Sequence, residues 1–175
     1  MDERPLLEGL YREHRALRAA AEGLQETVRD LAASPATALN GHLRDRLWRF
    51  REALLHHFRQ EQEALYPEAQ QLISAGAGRG DIFGQFFAAE AEEDWGAHAA
   101  VAARVEEMLL LLDAVMAAQQ LEPGPLARLR TMMGFVHDLF GRHADKEDRF
   151  IYPMIQQALG YEERQRVRQR LQELG

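Results

Sequence analysis

The chain contains no cysteine. That excludes disulfides, thiolate zinc sites, iron–sulfur clusters and cysteine nucleophiles together. It is also short of positive charge: 21 Lys and Arg against 28 Asp and Glu leave a net charge of −7. Binding nucleic acid through its phosphates needs a positive face, so no nucleic-acid partner is expected. Long apolar runs are missing as well. The greasiest stretch, Met108 to Leu112, meets Asp113 at once and falls far short of the roughly 20 residues that span a bilayer. The first eight residues, Met-Asp-Glu-Arg-Pro-Leu-Leu-Glu, have neither a basic region nor an apolar core. No secretory signal and no membrane partner are therefore expected, and the expected location is the cytoplasm. No segment alternates as a strand, no segment is of low complexity, and the zinc-protease signature His-Glu-x-x-His does not occur.

What is present is a motif that occurs twice. His57-Phe-Arg-Gln-Glu61-Gln-Glu-Ala-Leu-Tyr66-Pro67 and His143-Ala-Asp-Lys-Glu147-Asp-Arg-Phe-Ile-Tyr152-Pro153 share the pattern His-x3-Glu-x4-Tyr-Pro. Residues four apart lie on one face of an α-helix, so each copy aims an imidazole and a carboxylate at one place. The repeat extends backwards. Tyr11-Arg-Glu-His14 and Trp95-Gly-Ala-His98 each place an aromatic residue three positions before a histidine. His14 precedes His57 by 43 residues and His98 precedes His143 by 45. The chain thus reads as two helical hairpins, each carrying one lone His and one His-x3-Glu.

Apolar residues recur at helical spacing almost throughout. The spacing predicts a first helix from about Pro5 to Leu31, whose inner stripe of Leu6, Leu10, Leu17, Leu24, Val28 and Leu31 includes His14. Ser34-Pro35 interrupts it, and a second helix from near Thr37 carries Leu43, Leu47, Phe50, Leu54, His57, Glu61 and Leu65. Ala75 to Gly80 is a glycine-rich hairpin, followed by a short apolar lead-in, Asp81 to Phe87. A third helix is expected over Glu90 to Gln119 and a fourth over Leu126 to Leu159, separated by Glu122-Pro-Gly-Pro125. Gly160 closes the fourth, and Tyr161 to Leu174 forms a short amphipathic helix rich in Arg, expected as a solvated face. The fold class is all-α: an up-down-up-down four-helix bundle of about residues 5–160 with an extra C-terminal helix, in one domain.

Imidazole nitrogen and carboxylate oxygen together suit borderline divalent metals such as Fe(II) and Mn(II). Two Glu and four His from four helices supply enough donors for two ions with positions left open for oxygen or water. The order and interval differ from the Glu-x-x-His of ferritin-type sites. The bland alternative is a pair of internal hydrogen bonds, but burying His and Glu costs stability unless they are paired or metal-bound. The Tyr-Pro pairs read as helix kinks that close the end of the bundle. Tyr11, Trp95 and Phe140 read as core aromatics or as walls of the site. His42, His56 and His137 fall off the repeat and are left outside it.

These motifs resemble the hemerythrin-like family with the HHE cation-binding domain, over about residues 5–160. The resemblance implies a non-haem di-iron centre of the Fe–O–Fe type, with His14, His57, Glu61, His98, His143 and Glu147 as metal ligands; manganese or zinc would suit the same donors. Two positions depart from the oxygen carriers. Ala102 stands where they have a second third-helix histidine, and Glu147 competes with Asp148, which sits at their carboxylate spacing. The resemblance therefore implies binding of, or reaction with, oxygen, nitric oxide or peroxide in sensing or stress response rather than oxygen transport. A metal-binding module without turnover, whose iron sets stability or the choice of protein partner, and repair or donation of iron, are the alternatives.

Overall fold

Residues alternately three and four apart set the inward face of every long helix. The computed structural model describes residues 6–33, 36–39, 41–74 and 80–175, and among them the regular structure is helical, with no strand. In chain order the elements are α1 (Glu8–Asp30), α2 (Ala36–Leu39), α3 (His42–Gln60), a π-helical turn (Glu61–Leu65) and α4 (Tyr66–Ser74). They continue with α5 (Gly80–Ala118), α6 (Pro123–Lys146), a second π-helical turn (Glu147–Ile151), α7 (Tyr152–Ala158) and α8 (Tyr161–Leu174). The fold is an all-α helical bundle.

On α1 the buried series is Leu10, His14, Leu17, Ala21, Leu24 and Val28; on α3 it is Leu43, Leu47, Phe50, Leu54 and His57, continuing to Glu61. On α5 it is His98, Val101, Val105, Met108, Leu112 and Val115, and on α6 Leu129, Met133, Val136, Phe140 and His143, continuing to Glu147. This is the two-per-seven spacing of packed helices. In each helix the apolar series runs on, without a change of register, into imidazole or carboxylate. Each buried Leu or Met contributes about 1.5–3 kcal/mol, whereas each unpaired buried polar group costs roughly 2–7 kcal/mol. The apolar length of each helix offsets the polar end it carries.

The contacts divide the chain into two compact units. Unit one is Met1–His14, Leu55–His98 and His143–Gly175; unit two is Arg15–Leu54 and Ala99–Arg142. Unit two is the apolar one, with Leu24, Leu47, Val105, Met108, Leu112 and Met133 almost wholly buried. Arg44 pairs with Asp113, and Arg51 with Glu106, on its surface. The core of unit one joins Leu7, Leu10, Leu65, Tyr66, Ala69, Ile151, Tyr152, Ile155, Leu159 and Val167. All six residues singled out by the repeat belong to unit one.

Several expectations are corrected. The third helix begins at Gly80, not near Glu90, so the apolar lead-in is part of α5. The second and fourth helices each contain a π-helical turn. The fourth starts at Pro123, whose missing N–H costs nothing at a first helical position. The first starts at Glu8. The C-terminal helix is not merely a solvated face: Val167 is buried, and Arg166 and Arg170 grip the fully buried Glu68. Ser34-Pro35 and residues 75–79 of the glycine-rich hairpin lie outside the described residues. No helix among the described residues is long and apolar enough to cross a membrane.

Candidate metal centre

Proline explains the local backbone at the site. Pro67 and Pro153 stand six residues after Glu61 and Glu147. A proline inside an α-helix lacks its N–H and clashes with the carbonyl four residues earlier. The chain responds with one wider turn just before each proline. There the Tyr66 N–H bonds the Glu61 carbonyl, and the Tyr152 N–H bonds the Glu147 carbonyl, five residues back. Such turns are rare and gather at functional sites. Each carboxylate candidate is the first residue of its turn, one helical turn after its histidine.

The structure brings His14, His57, Glu61, His98, His143 and Glu147 together, every one of them buried. They form two overlapping groups of four, His14, His57, Glu61 and Glu147, and Glu61, His98, His143 and Glu147. Within each group one donor atom per residue lies within 4.8 Å of all the others. Glu61 and Glu147 belong to both. Glu61 stands 3.5 Å from His57 Nε2 through Oε1 and 3.3 Å from His98 Nε2 through Oε2. Glu147 Oε2 stands 3.2 Å from His14 Nε2 and 3.1 Å from His143 Nε2. Each carboxylate therefore faces one imidazole of each group. The rings of His14 and His57 are 4.5 Å apart, as are those of His98 and His143.

The outer ring nitrogens of several of these histidines are held from behind. His14 Nδ1 lies 2.6 Å from Asp148 Oδ1, His57 Nδ1 3.0 Å from Glu13 Oε2, and His98 Nδ1 3.3 Å from Gln62 Nε2. An N–H given to a carboxylate at Nδ1 leaves the Nε2 lone pair facing inward, which is the tautomer a metal needs. This places Asp148 against the back of His14, outside both groups of four. Phe58 stacks on His98 at 3.7 Å between ring centroids.

Two tyrosines complete the arrangement. Tyr66 Oη donates to Glu147 Oε1 at 2.6 Å, and Tyr152 Oη donates to Glu61 Oε1. Sequence reasoning gave these residues only a place beside a kink. The signal was there, because tyrosine holds the same position in both copies.

Burial and like charge make the two carboxylates unequal. Burial and the neighbouring Glu147 raise Glu61 to about 8. Burial also acts against Glu147, but His143 and His14 hold it well below the usual carboxylate range. Burial alone would depress His14; the carboxylates of Asp148 and Glu147 beside it reverse this and raise it to about 9. The Tyr152 hydroxyl is pushed well above its ordinary range by burial and the charge of Glu61, so it remains a donor.

A metal fits these residues. His57 Nε2, Glu61 Oε2 and Glu147 Oε2 are buried without a hydrogen bond, although buried polar atoms ordinarily have one. All three are the inward-facing donors. Close imidazoles point the same way: His98 Nε2 and His143 Nε2 lie 2.7 Å apart. A set of nitrogen and oxygen donors without thiolate is the chemistry of borderline divalent cations.

Of the three aromatic candidates, Tyr11 meets the Tyr152 ring edge-on at 5.2 Å, Phe140 is fully buried, and Trp95 is 46% exposed. His42 is exposed, while His56 and His137 are half-buried and stand outside both groups.

Comparison with known families gives a match to the Hemerythrin HHE cation binding domain, over residues 6–109. No curated protein and no solved structure matches the chain. The matched span holds His14, His57, Glu61 and His98; His143 and Glu147 join them through the internal repeat and the geometry above. With more than half its length matched and a buried His/Glu cluster able to hold a metal, the chain belongs to the hemerythrin HHE cation-binding domain family.

Proposed function

We propose that the chain is a non-haem di-iron protein that binds or reacts with oxygen, nitric oxide or peroxide, acting in cytoplasmic sensing or stress response. The observation that carries this reading is the sharing of Glu61 and Glu147 by two groups of donors. His14 and His57 would hold one ion, His98 and His143 the other, and both carboxylates would touch both. Two carboxylates offset part of the charge of two close cations, which would otherwise repel. Four protein donors per ion leave coordination positions for a small ligand.

Iron bound there supplies redox change and affinity for diatomic ligands or peroxide. The chain supplies the rest. Asp148 and Glu13 fix the tautomers of His14 and His57. Phe58 and the core around Tyr66 and Tyr152 keep the donors out of bulk water, where electrostatic contacts would be weakened.

Anaerobic Fe(II) reconstitution followed by separate additions of oxygen, nitric oxide and hydrogen peroxide tests this reading. The expected result is near-ultraviolet absorption of an oxo-bridged iron pair that responds to at least one of them. Bound iron whose spectrum answers none would instead support a metal-binding module without turnover. In that case chelation should lower the melting temperature without any consumption of oxidant.

A further inference from the structure

The crossing of the two tyrosines carries a role beyond closing the core. In an α-helix, a residue five positions on is rotated by about 140° from the first, at 3.6 residues per turn. Tyr66 and Tyr152 each stand five positions after a glutamate, so regular helices would turn both hydroxyls away from the site face. The π-helical turns at Glu61–Leu65 and Glu147–Ile151 absorb the extra residue. Both tyrosines then lie inward and almost wholly buried. Each donates to the glutamate of the other copy: Tyr66 to Glu147, and Tyr152 to Glu61. In both cases the oxygen used is Oε1, and the Oε2 atom is the one left without a hydrogen bond among the imidazoles.

We propose that Tyr66 and Tyr152 are positioning residues, each phenol fixing the carboxylate of the opposite repeat so that its second oxygen faces inward, Glu61 Oε2 toward His98 and Glu147 Oε2 toward His14 and His143. The proposal rests on the di-iron reading above and adds a cause to it. The prolines force the wider turns, the turns deliver the phenols, and the phenols orient both shared carboxylates. Partners of metal ligands that act in this way typically change metal affinity or activity 10–100-fold when removed.

The test uses the full chain as wild type, Tyr66→Phe and Tyr152→Phe, and Fe(II) in competition with a chromogenic chelator. Each phenylalanine variant should bind Fe(II) about 10–100-fold more weakly. Each should also show an altered near-ultraviolet spectrum once oxidised. A variant with wild-type affinity and spectrum overturns the proposal, even if its metal-free form melts earlier, because that pattern belongs to packing alone. A visible phenolate-to-iron band in the wild type that vanishes in Tyr152→Phe also overturns it, since the phenol would then hold the metal directly. Should neither variant fold, zinc titration of the wild type decides: a near-ultraviolet difference spectrum of perturbed phenols is expected, and a flat one refutes the role. A wild type that takes up no iron removes the di-iron reading itself. That outcome is distinct from three proteins binding iron equally.

Discussion

Glu68 stands one residue after Pro67, and its side chain is completely buried. Arg166 Nε donates to its Oε2 at 2.9 Å, and Arg170 Nη2 lies 3.2 Å from Oε1. Both arginines come from α8, at 44% and 37% side-chain exposure. The pair is therefore lopsided: the carboxylate is inside, while the guanidinium groups reach water. Removing both arginines as Arg166→Met, Arg170→Met keeps their apolar stems and strands a buried charge. A stranded buried ion costs about 3–5 kcal/mol, and partial hydration through the exposed arginine positions lowers this to about 2–3 kcal/mol. For a chain of this length that is a fall in melting temperature of about 4–12 °C. Glu68→Gln leaves the arginines solvated and keeps a hydrogen-bonding side chain, so it should cost about 1 kcal/mol. Urea unfolding of the three proteins, followed by circular dichroism in the same metal state, measures both values. Equal effects, or a larger loss in Glu68→Gln than in the double arginine variant, would show that no stranded charge sets the cost. So would a double variant within about 0.5 kcal/mol of wild type, the range of ordinary surface substitutions.

Asp148→Asn should weaken metal binding about tenfold, because the amide no longer fixes the His14 tautomer; isothermal titration with Zn(II) measures it. The same titration should release protons near neutral pH, since Glu61 at about 8 and His14 at about 9 both hold protons there in the metal-free protein. Both values are raised, so metal must displace those protons and affinity should rise with pH until about 9; repeating it in buffers of different ionisation enthalpy checks the sign. Val167→Ala should destabilise by about 2 kcal/mol through two lost methyl groups on the α8 face that meets the core of unit one, read by thermal melting.

The repeat made the site legible before any coordinates, because a duplicated His-x3-Glu in register with an apolar stripe specifies which face looks inward. His14 and His98 followed from their spacing in the repeat, and His14 also from the apolar stripe of the first helix. The tyrosines did not. Helical periodicity counts 3.6 residues per turn, and a π-helical turn breaks that count just where the phenols swing inward. Proline was visible, but its local consequence could be a kink as readily as an inserted residue. Asp148 was visible only as a rival of Glu147, because spacing cannot tell which nitrogen of a histidine an acid will meet. The arginines of α8 looked like a solvated face because the burial of Glu68 is a tertiary fact. Trp95 matched Tyr11 in the repeat, yet it points outward.

In the proposed centre Glu61 and Glu147 share two metal ions between the two histidine pairs. The most direct test of that sharing is metal content by mass spectrometry, on protein purified without added metal and again after anaerobic Fe(II) reconstitution. Two irons per chain are expected in the reconstituted wild type and none in a His57→Ala, Glu147→Ala variant, which removes a donor of one group and a carboxylate common to both. No iron in either wild-type sample, or iron retained in full by the variant, would contradict it.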